Sequence, residues 1–387
     1  MIYTASVFLC FVLAVVYDIK GYQKQKKLWY NVVLIWFIFV SGLQYCVGTD
    51  IFEYTNFFKN FNTKSFHLSD LGYYMDDQKQ PGWMLLIYFC RVFTDDFIIV
   101  KIIQAIFFNV ALFSFFKRET KYWFVCVLIY ALISYLIINF NVLRHSFALG
   151  FALYGFSYLR QKKYIQYFVF VAIAWLFHST AILLLIFPLF HLLKYNKWSL
   201  LVFLILFTGV FFFLYKADLV SILLTIIDNG YLGEDLSSLG STYMSSQRQG
   251  ANDSFSIFSL KRLLILFVVV YYIIRKKDLF VGSFGVTYLL ISILAGFMQG
   301  LWRFRLYVDP FYYIILATII VELPQKIFKQ KLLVYTMVFM LLFYFTIREW
   351  RAPIENSKWR AIDQYYPYHS IFDPEINHEQ KNFFESI

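Results

Sequence analysis

The side chains of this sequence whose types and surroundings could do chemistry are Asp50, Arg144, His178 and the pair Arg303 and Arg305. Arg144 opens the apolar stretch "NVLRHSFALGFALYGFSYLRQKK", residues 141 to 163, which already closes in a basic cluster. A guanidinium at the edge of a hydrocarbon layer costs about 2 to 3 kcal/mol on insertion scales, so it pairs, binds a ligand, or snorkels to lipid phosphates. Its planar fork meets phosphate oxygens bidentately, and "LWRFRLYVDP" at 301 to 310 adds Arg303 and Arg305. Such a set suits a diphosphate; a solvated loop is the plain alternative for each of the two.

His178 lies midway along thirty mostly apolar residues, 164 to 193, bounded by RQKK and KYNK. Equal basic flanks predict a helical hairpin whose turn carries His178, Ser179 and Thr180. Each leg of about 15 residues would rise only about 22 Å, which sinks that polar turn below the surface and suggests a cavity. A histidine bonded to a neighbouring helix carbonyl is the alternative. Asp50, in "YCVGTDIFEYTNFF", follows the second apolar run, with Glu53 and Tyr54 one turn on. A carboxylate there could take a proton from a sugar hydroxyl as a general base, or cap a helix together with Thr49. His145 fits a plain interfacial position.

The elements that must hold these residues are membrane helices. Of 387 residues, 60% are hydrophobic and 15% charged, and the mean hydropathy is +0.61. That is far from the balance of a soluble domain. Apolar runs fall at about 2 to 17, 29 to 47, 97 to 116, 122 to 140, 143 to 159, 164 to 177, 179 to 193, 198 to 215, 260 to 274, 279 to 300, 306 to 322 and 332 to 347. An all-α, polytopic transmembrane bundle of about twelve spans follows, because lipid leaves open backbone groups no partner. The segment "PGWMLLIYFCRVF", residues 81 to 93, is too short to span and reads as a re-entrant or interfacial helix. The first run lacks a basic leader and a small-residue cleavage site, so it is expected to remain as a helix.

Of the 35 Lys and Arg, eighteen sit in six clusters at 20–27, 117–121, 160–163, 194–197, 275–278 and 326–331. All six fall on one side if residues 81–93 do not cross. By the positive-inside rule that side is the cytoplasm, which places Arg144, His178, Asp50, Arg303 and Arg305 towards the outer face. Lys261 and Arg262, opening a span from the outer side, are the exception. The net charge of +11 is thus topology and gives no sign of nucleic acid. The chain divides into a transmembrane domain over 1–347, with outer loops at about 48–80 and 216–258, and an outer-face tail at 348–387, whose aromatics and prolines predict packing against the bundle. The four cysteines read as small buried hydrophobes. No Walker loop, dinucleotide fingerprint, nucleophile elbow or H-E-x-x-H is present, and no acidic group has metal-site spacing, so neither metal nor cofactor is expected.

The order "GTD…Y" after the second run, an Arg opening a helix in "NVLRHSFALGFALYGFSYLRQKK", then "LFHSTAILLLIFPL", an Arg-containing loop before a late run and the aromatic "YYPYHSIF" resembles the EpsG family of Wzy-type polysaccharide polymerases. The resemblance covers nearly the whole chain, departing where the family commonly has Gln after the helix-opening Arg and this chain has His145. It implies an enzyme of the bacterial cytoplasmic membrane that joins oligosaccharide units carried on undecaprenyl diphosphate, on the outer side, for capsule, exopolysaccharide or O-antigen. A lipid-linked oligosaccharide is then the substrate, with a chain-length regulator and a flippase as candidate partners. Carried over by motif, Asp50 and His178 would serve as base, and Arg144 with Arg303 or Arg305 would hold the diphosphate. A flippase of lipid-linked sugars and a polysaccharide ligase are the rival readings. The absence of an internal repeat between the two halves leans away from a transporter.

Overall fold

The computed structural model describes residues 2–48, 50–64, 66–67, 80–192, 196–216, 255–276, 278–295, 301–327, 331–351 and 360–372. Thr49 and nearly all of the expected 216–258 loop lie outside them. Every regular element among the described residues is helical, and an isolated bridge joins Gln44 to Ser370. The chain forms two compact units, Met1–Leu185 with Ile320–Ile387, and Ile186–Ile319.

The first unit holds α1 (Ile2–Leu13), α2 (Lys26–Gly42), α3 (Asp50–Asn60), α4 (Pro81–Phe93), α5 (Ile98–Glu119), α6 (Trp123–Ile133), α7 (Leu143–Arg160) and α8 (Tyr164–Trp175). Apart from α3, which lies within the expected 48–80 loop, and α4, which coincides with the 81–93 segment, these helices fall on the apolar runs. Among the described residues, two stretches, Ile2–Ile19 and Ile98–Glu119, are long and apolar enough to cross a membrane by themselves. Length alone therefore supports two of the twelve expected crossings. Breaks in helix type account for part of the difference. Helix α1 passes into a π-helix over Ala14–Ile19, and the run at 122–140 divides into α6 and a π-helix over Ile137–Asn141.

Three basic clusters gather at one end of this unit. Lys26 Nζ donates to the carboxylate of Asp18 at 2.8 Å and to the carbonyl of Lys121 at 2.8 Å, and Asp18 also accepts from the backbone N–H of Val125 at 2.9 Å. Arg118 and Arg160 share the buried carboxylate of Glu119 at 2.8 and 2.6 Å. Clusters 20–27, 117–121 and 160–163 are thereby drawn together, and α2 and α5, which pack side by side, both begin or end there. Helix α4 keeps to the opposite end. Its first turn donates from Gly82 N–H to the carbonyl of Leu176 at 2.7 Å, and near its last turn Arg91 pairs with Asp95 and donates to the carbonyl of Lys59.

The hairpin expected around His178 differs in its second leg. After α8, Ser179–Ile186 form a 3₁₀-helix, and Tyr167 Oη on the first leg donates to the carbonyl of Leu184 on the second at 2.6 Å. A 3₁₀-helix rises about 2.0 Å per residue against about 1.5 Å for an α-helix, so the short leg reaches further than an α-helix would.

The second unit contains α9 (Phe187–Leu192), α10 (Lys197–Lys216), α11 (Phe255–Arg275), α12 (Leu279–Leu294), α13 (Trp302–Arg305) and the start of α14 (Asp309–Ile327); α15 (Lys331–Trp350) returns to the first. Leu204, Val269, Ile273, Val286 and Leu289 form its core, and the rings of Phe284 and Phe311 stack at 3.9 Å. Arg262, the exception to the charge rule, donates to the carbonyl of Ser292 at 3.2 Å.

Removing one partner of a buried ion pair leaves the other charge uncompensated and costs about 3 kcal/mol or more. Asp18→Ala is therefore expected to destabilise the protein by about that much, and Asp18→Ala with Lys26→Met by clearly less. Thermal unfolding in detergent, run as a double-mutant cycle, measures both.

Candidate functional site

Arg144 stands in the first turn of α7, half-buried. Its Nε donates to Tyr54 Oη at 3.2 Å, one Nη donates to Gln80 Oε1 at 3.2 Å, and the guanidinium lies 5.7 Å from the centre of the Tyr54 ring. The partners come from two directions. Tyr54 is in α3, one turn after Asp50, and Gln80 immediately precedes the Pro-Gly that opens α4. Asp50 and Glu53 occupy the first turn of α3, where carboxylates complement the helix dipole.

Charge and burial meet at Tyr54. Burial pushes its hydroxyl above the ordinary tyrosine range, Arg144 opposes that, and the carboxylates of Asp50 and Glu53 push it further up. The hydroxyl stays protonated at neutral pH, a neutral group set between a guanidinium and two carboxylates. Burial and then the Asp50 carboxylate likewise raise Tyr365, so Asp50 lies within electrostatic reach of both phenols.

Tyr365 belongs to the C-terminal segment 360–372, which is stitched to the chain just before α3. Gly48 N–H donates to the carbonyl of Gln364 at 3.1 Å, Tyr45 N–H to that of His369 at 2.9 Å, and Ile371 N–H to that of Leu43 at 3.0 Å. Asn141 Nδ2 donates to Gln364 Oε1 at 3.1 Å and to Tyr365 Oη at 2.8 Å, three residues before Arg144. Gly48 makes this approach close. Its φ is +103°, and a Cβ there would lie 2.3 Å from the carbonyl oxygen of Phe140.

His178 ends the first leg of the hairpin, its N–H bonded to the carbonyl of Ala174 at 3.1 Å. The ring faces His145, with centroids 4.9 Å apart at 74°, and Thr180 Oγ1 lies 2.7 Å from His178 Nδ1 and 3.4 Å from His145 Nδ1. His145 is buried at 1% exposure, so it is part of this cluster and the interfacial reading does not hold. Gly82 ties Arg144 to the histidines. A Cβ at Gly82 would sit 2.7 Å from the carbonyl oxygen of Leu176, two residues before His178, while Gln80 on the other side of Pro81 receives Arg144. Buried Trp83 fills the space between, 5.2 Å from Tyr54 and 6.4 Å from Phe147 by ring centres.

Asp50, Arg144 and His178 thus share the first unit, at the ends of its helices away from the three basic clusters. Arg303 and Arg305 belong to the second. They lie on the short helix α13, where a loop was expected. Arg305 Nε is 3.3 Å from a carboxylate oxygen of Asp309, which is itself 1% exposed, whereas Arg303 is exposed beside Trp302.

Residues 27–370 match the model of the EpsG family. The chain belongs to the EpsG family. Its members are Wzy-like polysaccharide polymerases, so this protein is a membrane-embedded polysaccharide polymerase with a glycosyltransferase-like activity. No curated protein and no solved structure matches the chain. The matched EpsG region takes in Asp50, Arg144, His178, Arg303, Arg305 and most of the 360–372 segment. Gln80, Trp83, Asn141, Gln364 and Tyr365 complete the cluster and were not singled out from sequence; the Gln-Pro-Gly before α4 is the one local signal that could have found Gln80.

An alanine methyl at Gly48 must displace the Phe140 carbonyl or break the contact with the 360–372 segment. Gly48→Ala is expected to lower stability by about 2 kcal/mol and to speed proteolysis within 360–372, measured by unfolding in detergent and limited digestion. Tyr54→Phe, which removes the acceptor for Arg144 Nε, is expected to reduce polymer synthesis about tenfold with little change in unfolding temperature.

Proposed function

We propose that this protein joins oligosaccharide repeat units carried on undecaprenyl diphosphate, at the outer face of the bacterial cytoplasmic membrane, in a multi-pass bundle that builds a surface polysaccharide. The observation that carries the reading is Arg144, held by Gln80 and by Tyr54, which lies one helical turn after Asp50, while the adjacent His145 packs against His178. The side of the membrane is supported by charge. The clusters 20–27, 117–121 and 160–163 gather at one end of the first unit and, by the positive-inside rule, face the cytoplasm, so the opposite end with Arg144 faces out.

The chemistry asked of these groups is glycosyl transfer. A hydroxyl oxygen of the acceptor sugar forms a bond to the anomeric carbon of the donor, the bond from that carbon to the diphosphate breaks, and its electron pair leaves with the diphosphate. Negative charge grows on the leaving group, so a preorganised guanidinium stabilises the transition state more than the ground state. Arg144 takes that role; in the second unit Arg303 is exposed and Arg305 is engaged by Asp309. The acceptor hydroxyl loses its proton to Asp50 or His178. A lipid-linked oligosaccharide is the only substrate required, and a chain-length regulator and a flippase remain the partners proposed for it.

Purified protein in vesicles, given only lipid-linked repeat units, is expected to lengthen them into a ladder. Movement of the lipid across the bilayer without lengthening would instead identify a flippase, and transfer of finished glycan to another acceptor a ligase. Arg144→Lys keeps the charge but loses the fork, and is expected to lose at least about 100-fold in rate. Wild-type polymer length from that variant would remove Arg144 from the mechanism.

A further inference from the structure

The contacts around Thr180 have a direction, and that direction separates the two groups left sharing the role of base. A backbone N–H can only donate. Thr180 N–H lies 3.2 Å from His178 Nδ1, so Nδ1 is the accepting nitrogen, and neutral His178 carries its proton on Nε2. Thr180 Oγ1 lies 2.7 Å from the same Nδ1, which two facing lone pairs do not allow; the hydroxyl therefore donates to it as well. With its proton committed, Thr180 Oγ1 turns its lone pairs elsewhere, and His145 Nδ1 stands 3.4 Å away. The consistent arrangement is His145 Nδ1–H to Thr180 Oγ1–H to His178 Nδ1, running one way.

We propose that His145 and Thr180 are positioning residues that fix His178 in its Nε2–H form, making His178 a hydrogen-bond donor to the departing diphosphate and leaving proton abstraction to Asp50. The inference rests on the polymerase reading above. Burial is consistent with it: His145 is 1% exposed, while His178 is only partly buried. A short polar chain in apolar surroundings also polarises along its length, which strengthens the terminal donor. The proton balance is simple. The acceptor hydroxyl gives its proton to the Asp50 carboxylate, and the diphosphate leaves with the electron pair of the broken bond, stabilised by Arg144 and the His178 Nε2–H.

Nitrogen-15 NMR of protein carrying labelled histidine reads the tautomers without turnover, with His178 assigned by the signals lost in His178→Gln. A protonated Nε2 and bare Nδ1 at His178 are expected; a protonated Nδ1 overturns the proposal. Activity gives the second measurement. His178→Gln, whose amide N–H₂ stands near the Nε2 position, is expected to keep activity within about tenfold of wild type, with His178→Glu as inactive as His178→Ala. An active Glu variant beside an inactive Gln variant would make His178 the base. Thr180→Ser and His145→Asn, which preserve the donors, are expected to remain near wild type, while Thr180→Val and His145→Leu lose about tenfold in kcat with KM little changed. Wild-type protein that fails to lengthen lipid-linked units would instead sink the polymerase reading and the diphosphate role with it, leaving the tautomers to be judged from the NMR alone.

Discussion

A polar or charged group placed in apolar surroundings must be met by another, and most of what distinguishes this chain follows from that constraint. It makes every regular element among the described residues helical. It also decides which side chains stand together, since the unavoidable charges are satisfied in local sets: Asp18 with Lys26, Glu119 with Arg118 and Arg160, Arg144 with Tyr54 and Gln80. The first two sets close the end of the first unit where the basic clusters gather. The third differs in kind, because Tyr54 and Gln80 are neutral groups that orient the guanidinium through hydrogen bonds.

The helices were legible because hydrophobic content is a local property that survives without knowledge of the neighbours. Runs at 97–116 and 143–159 correspond to α5 and α7 within a few residues. What could not be read was where a run changes helix type. The π-helix at Ile137–Asn141 has no compositional mark; within it fully buried Lys101 reaches the carbonyl of Asn139 at 2.5 Å, while the Asn139 side chain bonds Tyr130, Tyr135 and Asn109. Those partners lie up to 38 residues away, and a widened turn is the local answer to a distant donor.

The candidate site divides along the same line. Arg144 and His178 stood out because a basic group opening an apolar helix and a polar turn inside an apolar hairpin both violate a local pattern. Gln80 and Tyr365 violate nothing. Each is an ordinary polar residue in a polar segment and joins the cluster through chain contacts, Gln80 through the Gly82 bond to Leu176 and Tyr365 through the 360–372 segment bound at Leu43, Tyr45 and Gly48. His145 was misjudged for a related reason: beside Arg144 in sequence it looks interfacial, but one residue further along a helix is a rotation of about 100°, which turns it from the half-buried side to the packed one.

That rotation explains why the chemistry is divided between consecutive residues. Arg144 and His145 leave α7 on different sides, one towards α3 and Gln80, the other towards the hairpin turn. The helix start that carries them both is set by the π-segment, whose last residue, Asn141, is bonded to Gln364 and Tyr365, and whose Asn139 holds Lys101. A shift of that segment would move the guanidinium and the histidine pair together. The buried lysine and the C-terminal aromatics therefore bear on the site without entering it: they set the register from which Arg144 and His145 are both projected.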